Sequence, residues 1–388
     1  MRVTDLEVDL VNITYTHAMS SATSKAEGTS KCIVRLHTDD GIVGLGEAPG
    51  GAETHEEILR AHEALRGQDP FRIEAIVERL PGPHRGLYGP TPTAVSALEM
   101  AVWDIMGKAL GRPVCDLLGG RYRSAIPVCA PLFTHEDAEG DFASATVAAA
   151  EEAIGRFGFD TVKVKAGVYR PGAELGALRE LRRKFGDALG LRVDPNGVWS
   201  PEESIRFGQR ALDLDLEWME DPTWGIEGMR RVRAAVSIPL ATNMCVRNFD
   251  EVPVAFRADA VDVILGDHRI WGGIWPTRKL AALCEGMNLG FGLHSSHELG
   301  IATAARLHLA AATAHLSYPI DVTHWFHADD VIAGGAPRIA GGRILVPTGP
   351  GLGVDLDPEA LERGVARYRR DGPYVATFTN PSRYRWWV

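Results

Sequence analysis

Residues 161–168 read Thr-Val-Lys-Val-Lys-Ala-Gly-Val. Val162, Val164 and Ala166 share one phase of a two-residue period, and Lys163 and Lys165 share the other. Successive side chains on a strand point to opposite faces, so both ammonium groups point the same way. A buried strand with two lysines on one face needs anionic groups on that side. Short apolar runs of the same kind recur along the chain, alternating with helical patterns. The predicted strands are Ile126–Leu132, Thr161–Lys165, Leu191–Asp194, Glu217–Glu220, Ile238–Thr242, Val261–Leu265, Leu289–Leu293 and Leu316–Ile320. Their ends recur at roughly even intervals. Strand–helix alternation implies right-handed crossovers and a parallel sheet, and eight such units close into a (β/α)₈ barrel over residues 123–330.

The flanks read differently. Residues 1–122 predict an α+β capping unit. It has a hairpin turning at Asp40-Gly41, then helical patterns over Glu53–Leu80 and Thr93–Leu110. The stretch Ser20–Ser30 is small, polar and without periodicity, so it reads as a mobile loop that closes over a ligand, with Lys25 as its contact. Residues 331–388 are expected to return to the cap, with a strand at Arg343–Pro347, a helix at Pro358–Arg369, and a terminal Trp386-Trp387 pair that docks.

Composition narrows the function. The 388 residues are 45% hydrophobic, ample for a large core, and contain no run of eighteen apolar residues, so no membrane span is expected. The acidic, alternating N-terminal stretch does not read as a signal peptide. Five scattered cysteines without CxxC spacing suit a reducing cytoplasm and argue against disulfides and a zinc cluster. A net charge of −10 without a basic block makes nucleic acid an unfavoured partner.

Active sites of such barrels lie at the C-terminal strand ends. Those ends carry Lys163 and Lys165, Asp194 with Asn196, Glu220, Asn243, Asp267 and His294. Each has a bland reading alone: Asp194-Pro-Asn-Gly is a good turn, and strand lysines guard sheet edges. Six polar strand ends in succession make those readings jointly improbable. Asp194, Glu220 and Asn243 sit on adjacent strands spaced about 4.8 Å apart, so they can converge as oxygen ligands for Mg²⁺. Lys165 and His294 fall on opposite sides of the barrel mouth, as two acid/base groups. Lys163 is placed to favour an anionic substrate and to bias Lys165 toward a basic role, and Asp267 to orient the histidine.

These residues resemble the enolase superfamily, within it the mandelate racemase group, and most narrowly the glucarate dehydratase subgroup. The matching stretches include Lys163-Val-Lys165, Asp194-Pro-Asn196-Gly, Glu220-Asp-Pro222, Asn243, Asp267, Gly292-Leu-His294-Ser295 and Thr323-His324-Trp325. The resemblance implies Mg²⁺ on Asp194, Glu220 and Asn243. It implies acid/base roles for Lys165 and the His294–Asp267 pair, and substrate contacts from Lys163, Asn196, Ser295 and His324. Residues that would read the far end of the substrate depart from the subgroup. Pro131 stands in place of a tyrosine, Lys25 stands near a histidine position, Ser296 replaces an asparagine, and Glu298 is an added acid. A mono-acid sugar is therefore as good an expectation as glucarate.

The leading expectation is dehydration of a small acid sugar to a 2-keto-3-deoxy acid by a homo-oligomeric enzyme. The nearest rival is racemisation or epimerisation at carbon 2. A muconate-type cycloisomerase, a Schiff-base aldolase using a lysine and a non-catalytic sugar-acid sensor are weaker readings.

Overall fold

The computed structural model describes residues 1–80, 90–133 and 141–374, leaving aside the side chains of 90–92. A three-stranded antiparallel sheet opens the fold: β1 (Val3–Ser20), β2 (Lys25–Thr38) and β3 (Val43–Pro49), in that order. The β2–β3 turn is where Asp40-Gly41 predicts it. The Gly41 N–H donates to the Thr38 carbonyl at 3.1 Å, and its φ of 78° is one that glycine adopts without strain.

Two expectations for the cap change. The helical stretch Glu53–Leu80 is two helices, Ala52–His62 and Ile73–Arg79. Between them Gly67 takes φ 75° and bonds back to the Val3 carbonyl at 2.8 Å, which breaks the helical run. Ser20–Ser30 is not an irregular loop. Ser20 pairs with Lys25, and the Ser21 N–H donates to the Ser24 carbonyl at 2.8 Å, so the stretch is the tip of the β1–β2 hairpin. Ser21 and Ala22 are buried in the turn between the two strands, and Lys25–Ser30 already belong to β2.

The sheet packs on the helix Pro90–Leu110 at close range. A Cβ added to Gly46 would lie 2.0 Å from the Ala97 carbonyl oxygen, and one on Gly44 would lie 2.1 Å from that of Ala101. Gly46→Ala is therefore expected to force sheet and helix apart, costing about 1–3 kcal/mol. Urea denaturation checks this, and an unchanged midpoint would refute the close approach.

The barrel follows. Its strands are β4 (Ala125–Leu132), β5 (Thr161–Lys165), β6 (Gly190–Asp194), β7 (Trp218–Glu220), β8 (Leu240–Thr242), β9 (Val263–Gly266), β10 (Gly290–Leu293) and β11 (Ile320–Asp321). Strands β4 to β10 pair in parallel in chain order. β11 pairs in parallel with β4, and the Ser317 N–H donates to the Phe291 carbonyl of β10 at 3.0 Å, which closes the ring. The eighth strand thus lies later than expected and ends on Asp321. Inside the barrel, Trp218, Ala241, Val263 and Leu265 form an apolar layer with Tyr318 beneath the mouth.

The segment after the barrel divides. The hairpin β12 (Ile339–Ala340) and β13 (Arg343–Leu345) pairs antiparallel with β4 at Ala125–Pro127, at the barrel's N-terminal end, rather than with the cap. The helix Pro358–Asp371 packs on β1, where Asn12 Nδ2 donates to the Gly372 carbonyl and Arg367 Nη1 to the Asn12 carbonyl, each at 2.8 Å. Trp386 and Trp387 lie outside the described residues.

Candidate active site

The two lysines that open the sequence reading point into the barrel mouth. Lys165 stands opposite Asp194 in the β5–β6 register, and its ammonium lies 2.5 Å from the Asp194 carboxylate. Lys163 is one layer deeper and almost wholly buried. Its ammonium donates to both Glu220 oxygens at 2.9 and 3.0 Å, contacts Asp321, and lies 3.8 Å from Asp194. Burial alone would lower the Lys163 pKa, but Asp321, Glu220 and Asp194 together hold it above the ordinary lysine value. For Glu220 burial prevails: despite Lys163, burial with Asp194 and Asp321 nearby pushes its carboxyl up to about 8.

Turn chemistry fixes the neighbours. Asn196 sits at φ 52°, its N–H 2.9 Å from Asp194 Oδ1 and its Nδ2 3.2 Å from Oδ2. Asp221 follows Glu220 at φ 38° and accepts the backbone N–H groups of Asn243 (2.8 Å) and Met244 (3.1 Å). This clamps the β8 end. The Asn243 Oδ1 is buried and has no hydrogen-bond partner among the described residues.

Across the mouth, His294 follows β10. Its Nδ1 lies 3.1 Å from Asp267 Oδ2, beyond β9. Burial lowers the His294 pKa, partly countered by Asp267. Asp267 is in turn held by Arg269, with Nη2 to Oδ2 at 2.5 Å, and both Nε and the backbone N–H to Oδ1, at 3.1 and 3.0 Å. Burial would raise the Asp267 carboxyl, but Arg269 and His294 keep it well below the usual range. Arg269 Nε also lies 3.2 Å from Glu298, which pairs with Arg306 at 3.1 Å and accepts from the Ser295 hydroxyl at 2.6 Å. Glu298 thus closes a buried ionic chain behind the histidine.

Above this floor is a cavity of about 700 Å³. It is lined by Lys163, Lys165, Asn196, Asn243, His294 and Ser295, and walled by the hairpin tip at Met19–Ala26 and the loop residues Trp224 and Phe133.

Residues 145–360 match the model of the enolase C-terminal domain-like family, and residues 5–119 that of the mandelate racemase/muconate lactonizing enzyme N-terminal domain. The chain belongs to this family. A Streptomyces coelicolor relative named "Probable glucarate dehydratase" is 37% identical over 86% of this chain and 84% of its own. An enolase crystallised from the same organism superposes with a TM-score of 0.90 at 41% identity, covering 96% of this chain and 99% of that one. An enolase from Thermobispora bispora, crystallised with magnesium and formate, superposes with a TM-score of 0.90 at 36% identity, covering 97% and 95%.

For a member of the mandelate racemase/muconate lactonizing enzyme family, the donor set at the floor fits a small hard cation. Two buried carboxylates and the orphaned amide oxygen of Asn243 are oxygen donors on three successive strand ends, as Mg²⁺ prefers. Glu220, Asp321 and His294 also bring ligand atoms within 4.8 Å of one another, but a set with an imidazole suits magnesium less well.

Two sequence-picked residues are placed elsewhere. His324 is buried with Nε2 against the Pro337 carbonyl at 2.8 Å, and is not among the cavity-lining residues. Lys25 is likewise absent from the lining, although Ser24 and Ala26 on either side are part of it.

The sequence reading missed Asp321, Arg192 and Arg269. Asp321 lines the cavity and binds Lys163. Arg192 lies beneath, its Nη1 3.7 Å from Asp321 Oδ1, its Nε 2.5 Å from Glu217 and its guanidinium 3.9 Å from the Trp218 ring centroid. The signal available was the acidic Asp321-Val-Thr-His324 end of the last strand.

Proposed function

We propose that this chain is a magnesium-dependent hydro-lyase of the enolase superfamily that dehydrates an acid sugar to a 2-keto-3-deoxy acid. The observation that supports the reading is that Lys165 on β5 and His294 beyond β10, the latter backed by Asp267, line one cavity, where they would serve as the two proton-transfer groups. Asp194, Glu220 and Asn243 would hold the Mg²⁺, which when bound withdraws charge from the substrate carboxylate and acidifies the adjacent carbon.

The chain's own residues do the rest. Lys163 and Asn196 receive the carboxylate, and Asp321 and Glu220 fix the Lys163 ammonium for that purpose. Lys165 takes the proton from carbon 2. The bond from carbon 3 to its hydroxyl breaks, and protonated His294 delivers a proton to that oxygen, releasing water. Asp267 keeps Nδ1 engaged, so that Nε2 faces the substrate and the imidazolium is stabilised. The enol left behind tautomerises to the keto acid.

Racemisation at carbon 2 is the second reading, because two bases on opposite walls also serve a reaction that returns the proton to the other face. Turnover of an acid-sugar library by the magnesium-loaded protein, with detection of 2-keto acid, separates the two. Keto acid supports dehydration, and a change of optical rotation without keto acid supports racemisation.

A further inference from the structure

Glu298, the acid added to the subgroup's pattern, is fully buried, so it acts through its neighbours. Those neighbours lead to His294. The Glu298 carboxylate accepts the Ser295 hydroxyl at 2.6 Å and the Ser296 backbone N–H at 2.9 Å, which ties down the two residues after the histidine. It accepts Arg306 Nη1 at 3.1 Å, and the same nitrogen donates to the His294 carbonyl at 3.0 Å. It lies 3.2 Å from Arg269 Nε, and Arg269 grips the Asp267 carboxylate that faces His294 Nδ1. One carboxylate thus holds the histidine's following backbone, its carbonyl and its ring.

The next residue leads into the cap. Leu299 and Ala302, at the start of the helix Gly300–Ala312, donate their backbone N–H groups to Glu47 on β3 at 2.8 and 3.0 Å. Glu47 is itself fully buried, with the ammonium of Lys31 on β2 at 3.9 Å. A carboxylate at a helix start is favoured by the helix dipole, and Lys31 offsets part of its charge. The cap sheet therefore sets where this helix begins, and with it where Glu298 sits.

We infer that Glu298 is a positioning residue for His294, and that Glu47 carries this positioning into the cap, so that docking of the cap sheet helps to set the acid/base histidine. This rests on the reading of His294 as a proton-transfer group. Without the Glu298 charge, two buried arginines lose a carboxylate partner and Ser295 and Ser296 lose their anchor, so the Asp267–His294 alignment is no longer enforced.

The first readout needs no substrate. In magnesium-loaded protein labelled with ¹⁵N-histidine, the His294 signal is assigned by its loss in His294→Asn, and the Nδ1–H share of the neutral ring reports the bond to Asp267. Glu298→Gln is expected to lower that share about twofold, and Glu298→Asp, which keeps the charge, to restore most of it. The second readout is keto-acid formation from acid sugars. Glu298→Gln is expected to lower kcat by about 10–100-fold with KM within about threefold, while carbon-2 exchange in D₂O, which belongs to Lys165, persists. Glu47→Gln withdraws one acceptor oxygen from the helix start and is expected to move both readouts the same way, by about threefold in kcat. It carries the test if Glu298→Gln does not fold. A purely structural Glu298 would lower Tm without moving the tautomer. A wild-type tautomer share in the Gln variants would therefore overturn the inference, as would elimination and exchange falling together. A shifted tautomer share with no keto acid from any acid sugar would support the positioning and count against dehydration instead.

Discussion

Lys165→Met is expected to lower kcat by about 10²–10⁴-fold, and His294→Asn by a similar factor. Both variants should fold, since each side chain lies at the cavity wall rather than in the apolar core. Their exchange behaviour should differ. In D₂O, His294→Asn retains Lys165 and should still exchange the carbon-2 proton of a substrate while losing water elimination. Lys165→Met should lose both. A drop below tenfold in both variants would remove these residues from the chemistry. Exchange retained by each variant, but with opposite carbon-2 configurations, would place one base on each face and favour racemisation.

Exhaustive chelation is expected to reduce turnover by about 100-fold or more, with Mg²⁺ restoring it, because a Lewis acid at the substrate carboxylate supplies several kcal/mol. A second readout needs no substrate. A ligand that binds only the folded state adds about 2.7 kcal/mol of stability at 100 times its Kd, so Mg²⁺ should raise Tm. Asn243→Ala removes the amide oxygen that has no hydrogen-bond partner among the described residues, and is expected to shrink that Mg²⁺-induced shift. A full shift in the variant would take Asn243 out of the ligand set, and full activity after chelation would take the metal out of the reaction.

The barrel was legible because its strands are short apolar runs with polar ends, and such a run has few alternatives between helical patterns. β5 matches its expected bounds, and β4 and β6 each begin one residue earlier than read. The last strand was hard to place. β11 is only two residues long, too short for periodicity, so the reading stopped at Ile320 and left Asp321 outside the site. Arg192 was invisible for another reason. A strand arginine reads as solvent-facing, and only the closed barrel shows that it is buried against Glu217 and Trp218. The hairpin tip failed through composition: serine, threonine and alanine suggest a loop until pairing and burial give them a strand. Pattern could locate the groups on the floor, but not which cation was already engaged. That depends on distances between strands remote in sequence.

The clasp formed by the helix Pro358–Asp371 on β1 has a consequence for how the molecule comes apart. Threaded along the chain, the barrel is an insertion between two pieces of one small module. A cut in a barrel loop would not free the cap, because the pieces on either side of the cut still meet at Asn12, Arg367 and Gly372. Cap and barrel should therefore melt as one cooperative unit, and a nicked preparation should migrate as intact protein until it is denatured.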